Sequence, residues 1–288
     1  MPAAPPKLYK YISVETARAV LTNGTLRWST PKTFNDPFDM QLPLVLEVDD
    51  DEVIILALEK IEKVFSDDNF APINLAGTLL ALMKAKGARF SREEVKDNFE
   101  DGLRESMVRL RAYLPKFNDE MINELSKSKI LCLSESPLIS TMWSHYADEH
   151  RGVVLEFGTP AEVDSPWKLA RAVEYRTAPP NFADVDLLAN VLVGTANFGV
   201  RATVDLYEYS KSAEWEYERE WRISSGNGRS SEVDFEDVPF HRQELMGVIF
   251  GYRATNDIVT EFSNLARAAN PVVSFRHIER AGINLTLR

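Results

Sequence analysis

Two hydrophobic rhythms alternate along the chain. Short apolar runs, or runs with a period of two, read as strands; apolar positions three and four apart read as helices. The strand rhythm appears at KLYKYI (7–12), TLRWST (25–30), KILCLSES (129–136), GVVLEFG (152–158) and RAVEY (171–175). It returns at SEVDFEDV, LMGVIFGYRA and VVSFRHIE near the C-terminus. Helical spacing appears at SVETARAVLTNG (13–24), where Ser13 stands at the N-cap and Gly24 closes the last turn. It appears again at STMWSHYADEHRG, read as a short helix ending at Gly152, across 182–210, and at TNDIVTEFSNLARAA.

Between residues 51 and 127 the strand rhythm stops. DEVIILALEKIEKVF, INLAGTLLALMKAKG, SREEVKDNFEDGLRESMVRLRAYL and NDEMINELSKSK all carry helical spacing. The pattern predicts an α+β fold: a single domain over 1–288 with a mixed or antiparallel sheet core and a four-helix block inserted at 51–127.

One strand-like stretch is unusual. In EWEYEREWRI, Glu214, Glu216, Glu218 and Glu220 fall at every second position, with Trp215, Tyr217, Arg219 and Trp221 between them. A strand sends alternate side chains to opposite faces, so the carboxylates would share one face. A helix would set like charges four apart, which is unfavourable. A strand is therefore expected, its carboxylates either solvated beside cross-strand cations or lining a site.

Charge and composition narrow the chemistry. The 288 residues include 33 Lys and Arg against 44 Asp and Glu, a net charge of −11, and so lack the basic footprint of a non-specific nucleic-acid binder. The single cysteine, Cys132, excludes an intramolecular disulfide and sits in an apolar run, where a buried thiol is expected. His145, His150, His241 and His277 show no zinc-binding spacing, so no zinc site is expected. No apolar run approaches the ~18 residues of a membrane span. The start, MPAAPPKLYKY, lacks the features of a signal peptide. A reducing cytoplasm is the expected location. Dinucleotide, P-loop and nucleophile-elbow motifs do not occur.

Two further segments carry candidate chemistry. FNDPFD sets Asn35, Asp36 and Asp39 in a turn-rich loop, with Phe34 and Phe38 expected to pin it to the core. Its carboxylates could cap turns or ligate a divalent cation. WSHYADEH offers Trp143, His145 and Tyr146, an imidazole suited to general base work beside two aromatic rings suited to a flat ligand.

Three blocks together resemble a widespread prokaryotic family catalogued as a domain of unknown function. They are LYKY followed by LRWSTP-x-x-FNDPFD, then CLSES leading to MWSHYAD-x-H-x-GV, and YE-x-EWR. The first strand, second strand and late glutamate pair are also similar to the ADP-ribosyltransferase superfamily. There the first strand usually offers Arg or His to NAD, the second Ser-Thr-Ser or Tyr, and a late strand or its preceding loop Glu, often as Glu-x-Glu. Here Lys10 replaces Arg or His and Pro31 replaces the last serine. That similarity implies NAD as the cofactor and Glu220 as the catalytic carboxylate, with Glu218 orienting or deprotonating the acceptor; His145, read from its own segment, would be a general base or a ligand contact. Lys10 or Arg27 would then face the phosphates, and Ser29, together with Asn35 and Asp36 of the loop and the rings of Trp143 and Tyr146, would lie around the ligand. The implied acceptor is a protein, a nucleic acid or water, in the manner of a bacterial toxin or phage-defence effector. Two alternatives stay open: a non-enzymatic module docking a protein through 51–127, and a metal-dependent nuclease using Asp36, Asp39 and Glu220.

Overall fold

The computed structural model describes residues 4–288, so the first three residues of the N-terminal segment lie outside it. In chain order the elements are β1 (Lys7–Ile12), α1 (Val14–Asn23), β2 (Thr25–Ser29), α2 (Asp50–Ser66), α3 (Leu75–Ala85), α4 (Arg92–Leu125), β3 (Ile130–Ser134), α5 (Ser140–Tyr146), β4 (Val153–Gly158), β5 (Arg171–Ala172) and β6 (Glu174–Arg176). There follow α6 (Val185–Val193), α7 (Val200–Glu208), β7 (Ser210–Ser212), β8 (Glu220–Ser224), β9 (Phe235–Pro239), β10 (Leu245–Phe250), α8 (Asn256–Ala269), β11 (Ser274–Ala281) and β12 (Asn284–Leu287). The α+β expectation holds. No helix among the described residues is long and apolar enough to cross a membrane.

The chain folds as two compact units. The sheet unit takes the chain up to Met40, Glu124–Thr177 and Tyr209–Arg288. The helical unit takes Gln41–Asn123 together with Ala178–Glu208, so the region read as a 51–127 insertion also recruits α6 and α7.

The main sheet runs β12-β11-β10-β4-β1-β3-β2-β9, with β8 on β3 and β5 on β8. Its pairs are antiparallel except β10 with β11, which are parallel and joined through α8. A parallel pair needs such a crossover. α1 is closed as read: Ser13 accepts from the Thr16 N–H, and Gly24 is left-handed with φ 64°.

Strand β3 is the joint of this sheet. One of its edges meets β1 at Tyr9↔Ser134 and β2 at Ser29↔Ile130. The other edge pairs with β8 throughout, from Ile130↔Ser224 to Ser134↔Glu220. Between the two partial pairings β1 and β2 part, and Lys10 Nζ donates to the Cys132 carbonyl in the gap, at 2.7 Å. On one face, Leu131, Leu133, Trp221, Ile223, Leu155 and Phe157 pack with residues of α1 and α8 into the main core. The other face carries Cys132, Ser134, Glu220 and Arg222, because side chains alternate.

Several elements depart from the sequence reading. The third and fourth predicted helices are one, α4, which runs through Pro115. Leu114 and Phe117 pack into an apolar cluster on either side of the proline, and packing overrides propensity there. The segment 182–210 breaks at Gly194, whose φ is 84°. The α5 helix ends at Tyr146 rather than Gly152, because Asp148, Glu149 and His150 take positive φ. RAVEY is interrupted at Val173, and β12 carried no recognised signal.

Within the helical unit, Gly77 and Gly194 let two backbones touch. Asn74 caps α3 through the Gly77 N–H and donates to the carbonyls of Val191 and Ala196. A Cβ on Gly194 would lie 1.9 Å from the Gly77 nitrogen. Gly194→Ala therefore combines a left-handed backbone penalty with overpacking, together about 2–5 kcal/mol. Urea denaturation followed by circular dichroism should show a correspondingly lower midpoint than wild type.

Candidate functional site

The glutamate stretch is not a continuous strand. Ala213–Glu218 forms a 3-10 turn, Arg219 is left-handed with φ 46°, and β8 starts only at Glu220. In a 3-10 turn residues three apart eclipse, which puts Trp215 and Glu218 on one side. Both meet Lys211: its ammonium lies 5.1 Å from the Trp215 ring centroid and 2.6 Å from Glu218 Oε2. The expected row of four carboxylates therefore divides. Glu214 and Glu216 are exposed, whereas Glu218 and Glu220 are 3% and 4% exposed.

These two glutamates belong to a buried ionic cluster. Arg222, with no exposed surface, donates from Nε to Glu220 Oε1 at 2.6 Å and from Nη2 to Glu220 Oε2 at 3.0 Å and Asp39 Oδ2 at 2.5 Å. Lys211 Nζ reaches Glu220 Oε2 at 2.8 Å and Asp39 Oδ2 at 3.3 Å, besides Glu218. Tyr146 donates its hydroxyl to Glu218 Oε1 at 2.6 Å, and Tyr175 accepts from the Glu220 N–H at 2.7 Å. Phe34 of the FNDPFD loop lies over the Arg222 guanidinium. Phe38 does not pin that loop; it is exposed, while the Asp36 carboxylate caps the turn through the Phe38 N–H.

Three carboxylates thus face two cations. Burial works to raise the pKa of Glu220, but Arg222 and Lys211 outweigh it and hold Glu220 well below the usual carboxylate range. Burial works to lower that of Lys211, and Glu220 and Asp39 more than offset it, so the ammonium stays charged. Glu218 goes the other way: burial, with help from the Glu220 charge, keeps its pKa raised despite Lys211. Burial also pushes up the Tyr146 hydroxyl and the Cys132 thiol. One polar atom of the cluster is left over. Asp39 Oδ1 is buried and has no hydrogen-bond partner.

The cluster underlies a cavity of about 200 Å³ beside the split between β1 and β2. Lys10, Arg27, Ser29, Asn35, Asp36 and Tyr146 all line it. So do Phe34, Lys211 and Trp215, which the sequence does not mark as ligand contacts, and Asp39, expected there only as a cation ligand. Arg27 also pairs with Asp237 and lies 3.8 Å from the Phe235 ring centroid. A smaller hollow of about 70 Å³ shares Lys10, Cys132 and Tyr146 with the cavity and reaches Glu218.

Three of the residues singled out in the sequence lie elsewhere. Trp143 is fully buried in the core, where its indole donates to the Pro137 carbonyl at 2.8 Å. The reason is its position on the inner face of α5, one residue from buried Met142. His145 points outward, with Nδ1 3.3 Å from the Tyr217 hydroxyl, and does not line the cavity. Glu220 lies beneath the cavity with both oxygens committed to Arg222 and Lys211. Among the described residues, no group of three or more His, Cys, Asp or Glu side chains is placed to hold a metal ion.

Residues 142–223 match a family model described as a protein of unknown function, DUF2971. The matched segment holds Tyr146, Lys211, Glu218, Glu220 and Arg222, whereas Lys10 and Asp39 lie before it. No curated protein and no solved structure matches the chain.

Removing one member of a buried ionic cluster strands the others. Arg222→Met should cost about 3–5 kcal/mol of stability, read from the denaturant midpoint. The pH dependence of Glu220→Gln has a definite sign. A carboxylate with a depressed folded pKa stabilises the fold above its unfolded value of about 4.3 and loses that contribution as pH falls. The stability gap between wild type and Glu220→Gln should be widest above about pH 5 and narrow steadily in acid.

Proposed function

We propose that the cavity binds a nucleotide-type ligand, NAD in the first instance, and that the chain is an enzyme breaking the bond between nicotinamide and ribose. The acceptor is a protein, a nucleic acid or water. The observation that carries this reading is the unpartnered Asp39 Oδ1, in a cluster with one carboxylate more than its cations, beside a cavity bordered by Phe34, Tyr146 and Trp215. A flat cationic ring bearing an N–H donor satisfies all three features. Aromatic faces attract cations, a buried acceptor gains a donor, and the excess negative charge is neutralised. The nicotinamide of NAD is such a ring.

The size fits the reacting end only. Complete ligand sites usually span about 300–1,000 Å³, so the remainder of a dinucleotide extends from the mouth. Lys10 and Arg27 line the cavity and supply positive charge for phosphate oxygens. When the C1′–N bond breaks, its electron pair passes to the ring nitrogen and C1′ becomes cationic. A neighbouring carboxylate stabilises that charge. Glu218 suits this place better than Glu220, because it reaches the smaller hollow that adjoins the cavity, whereas Glu220 lines neither and is gripped on both oxygens by Arg222 and Lys211. Its raised pKa also suits it to take the acceptor's proton. Glu220 then acts as a positioning residue through Lys211. Consumption of NAD or modification of a macromolecule in this way is chemistry fitted to a toxin or phage-defence effector.

Calorimetry with NAD should give saturable heat, weakened about tenfold or more by Lys10→Ala, the loss of one charged hydrogen-bonding group. Glu218→Gln should keep binding while nicotinamide release falls about 10²–10⁴-fold. The absence of heat at millimolar NAD, or full turnover by Glu218→Gln, overturns the reading.

A further inference from the structure

The net charge is unevenly distributed. The helical unit holds 21 acidic and 12 basic residues, a net charge of −9 out of the chain's −11. It also carries an open groove of about 780 Å³ between α2 and α4. On α2, Asp51, Ile55, Leu58 and Glu62 recur at helical spacing along the groove, over about 17 Å or three turns. Ile54 and Val95 are buried at its floor, Leu58 is half-buried, and Ile55 is 57% exposed.

The groove's own cations are already taken. Arg104 pairs with Asp51 and Glu100, Lys96 with Glu100, and Arg92 with Glu59. Glu62 and Glu93, which also line the groove, form no ion pair among the described residues. The groove therefore combines apolar side chains, exposed at Ile55, with unneutralised carboxylates.

We infer that the α2–α4 groove of the helical unit binds a basic amphipathic helix of a partner protein. An amphipathic helix docks its apolar face in such a groove through positions i, i+3, i+4 and i+7. Three turns of helix match the length of the groove. Lysines or arginines flanking that apolar face reach Glu62 and Glu93, and the −9 field of the unit speeds encounter with a basic segment. An acidic helix of the same apolar pattern meets repulsion, which sets the selectivity of the site. This inference is independent of the proposed reaction.

The test uses the full chain and a fluorescent 18-residue peptide of Leu and Lys with leucines at i, i+3, i+4 and i+7. Two control peptides replace every Lys by Glu, or every Leu by Ser. Anisotropy titration should show saturable binding of the Leu/Lys peptide and about tenfold or greater weakening for either control. Ile55→Asp, and separately the Glu62→Lys, Glu93→Lys pair, should each weaken binding about tenfold or more with unchanged melting midpoints. Should Ile55→Asp unfold the unit, the charge-reversal pair decides alone. Equal binding of all three peptides, or no effect of the groove variants, shows adsorption to an acidic surface and overturns the inference. So does a concentration-dependent dimer that Ile55→Asp abolishes, since a second copy would then fill the groove.

Discussion

The sheet unit depends on a buried ionic cluster whose centre is the unexposed guanidinium of Arg222. Moving a charge from water into a protein interior costs several kcal/mol even after relaxation. The cost is offset only where every charge meets its counterpart at hydrogen-bonding distance. Here that requirement ties together the FNDPFD loop through Asp39, β7 through Lys211, the 3-10 turn through Glu218, β8 through Glu220 and α5 through Tyr146. Each segment is short, and they come from distant parts of the chain. The charges align them.

The same requirement leaves a residue of unmet electrostatics at one place. Two cations cannot neutralise three carboxylates: burial, with the Glu220 charge beside it, leaves Glu218 with a raised pKa, and one Asp39 oxygen is unpaired. Both border the space opened where β1 and β2 part along β3. A stable packed unit and a chemically poised cavity thus come from one arrangement. The apolar core of Trp221, Ile223, Leu131 and Leu133 on the opposite face of the same strands holds it rigid. The helical unit follows other rules: close backbone contact at Gly77 and Gly194, apolar clusters between helices, and a strongly acidic surface.

Local chemistry was legible in the sequence wherever its cause is local. Ser13 and Gly24 bounded α1 because a cap and a left-handed closure need only neighbouring backbone groups. Apart from β12, the strands of the sheet were visible from their period, and the α+β class followed. Lys10, Arg27, Ser29, Asn35, Asp36 and Tyr146, drawn from four segments, do share one cavity. Other features had no local signal. Lys211 sits in an unremarked YSKSAEW, and its role exists only because Asp39, Glu218 and Glu220 converge on it. Trp143 looked like a ring for a ligand, but helical phase turns it into the core.

EWEYEREWRI shows where the boundary falls. Its alternation determined that carboxylates and aromatics would segregate, since that follows from composition along any extended backbone. Whether the backbone stays extended was decided by partners far away. Arg222 meets Asp39 across 183 residues of sequence, and Lys211 reaches Glu218 only when Ala213–Glu218 coils into a 3-10 turn. Hydrophobic period reports which face of an element is buried. It carries no record of which distant charge will stand opposite, and in this protein that pairing decides the shape of the site.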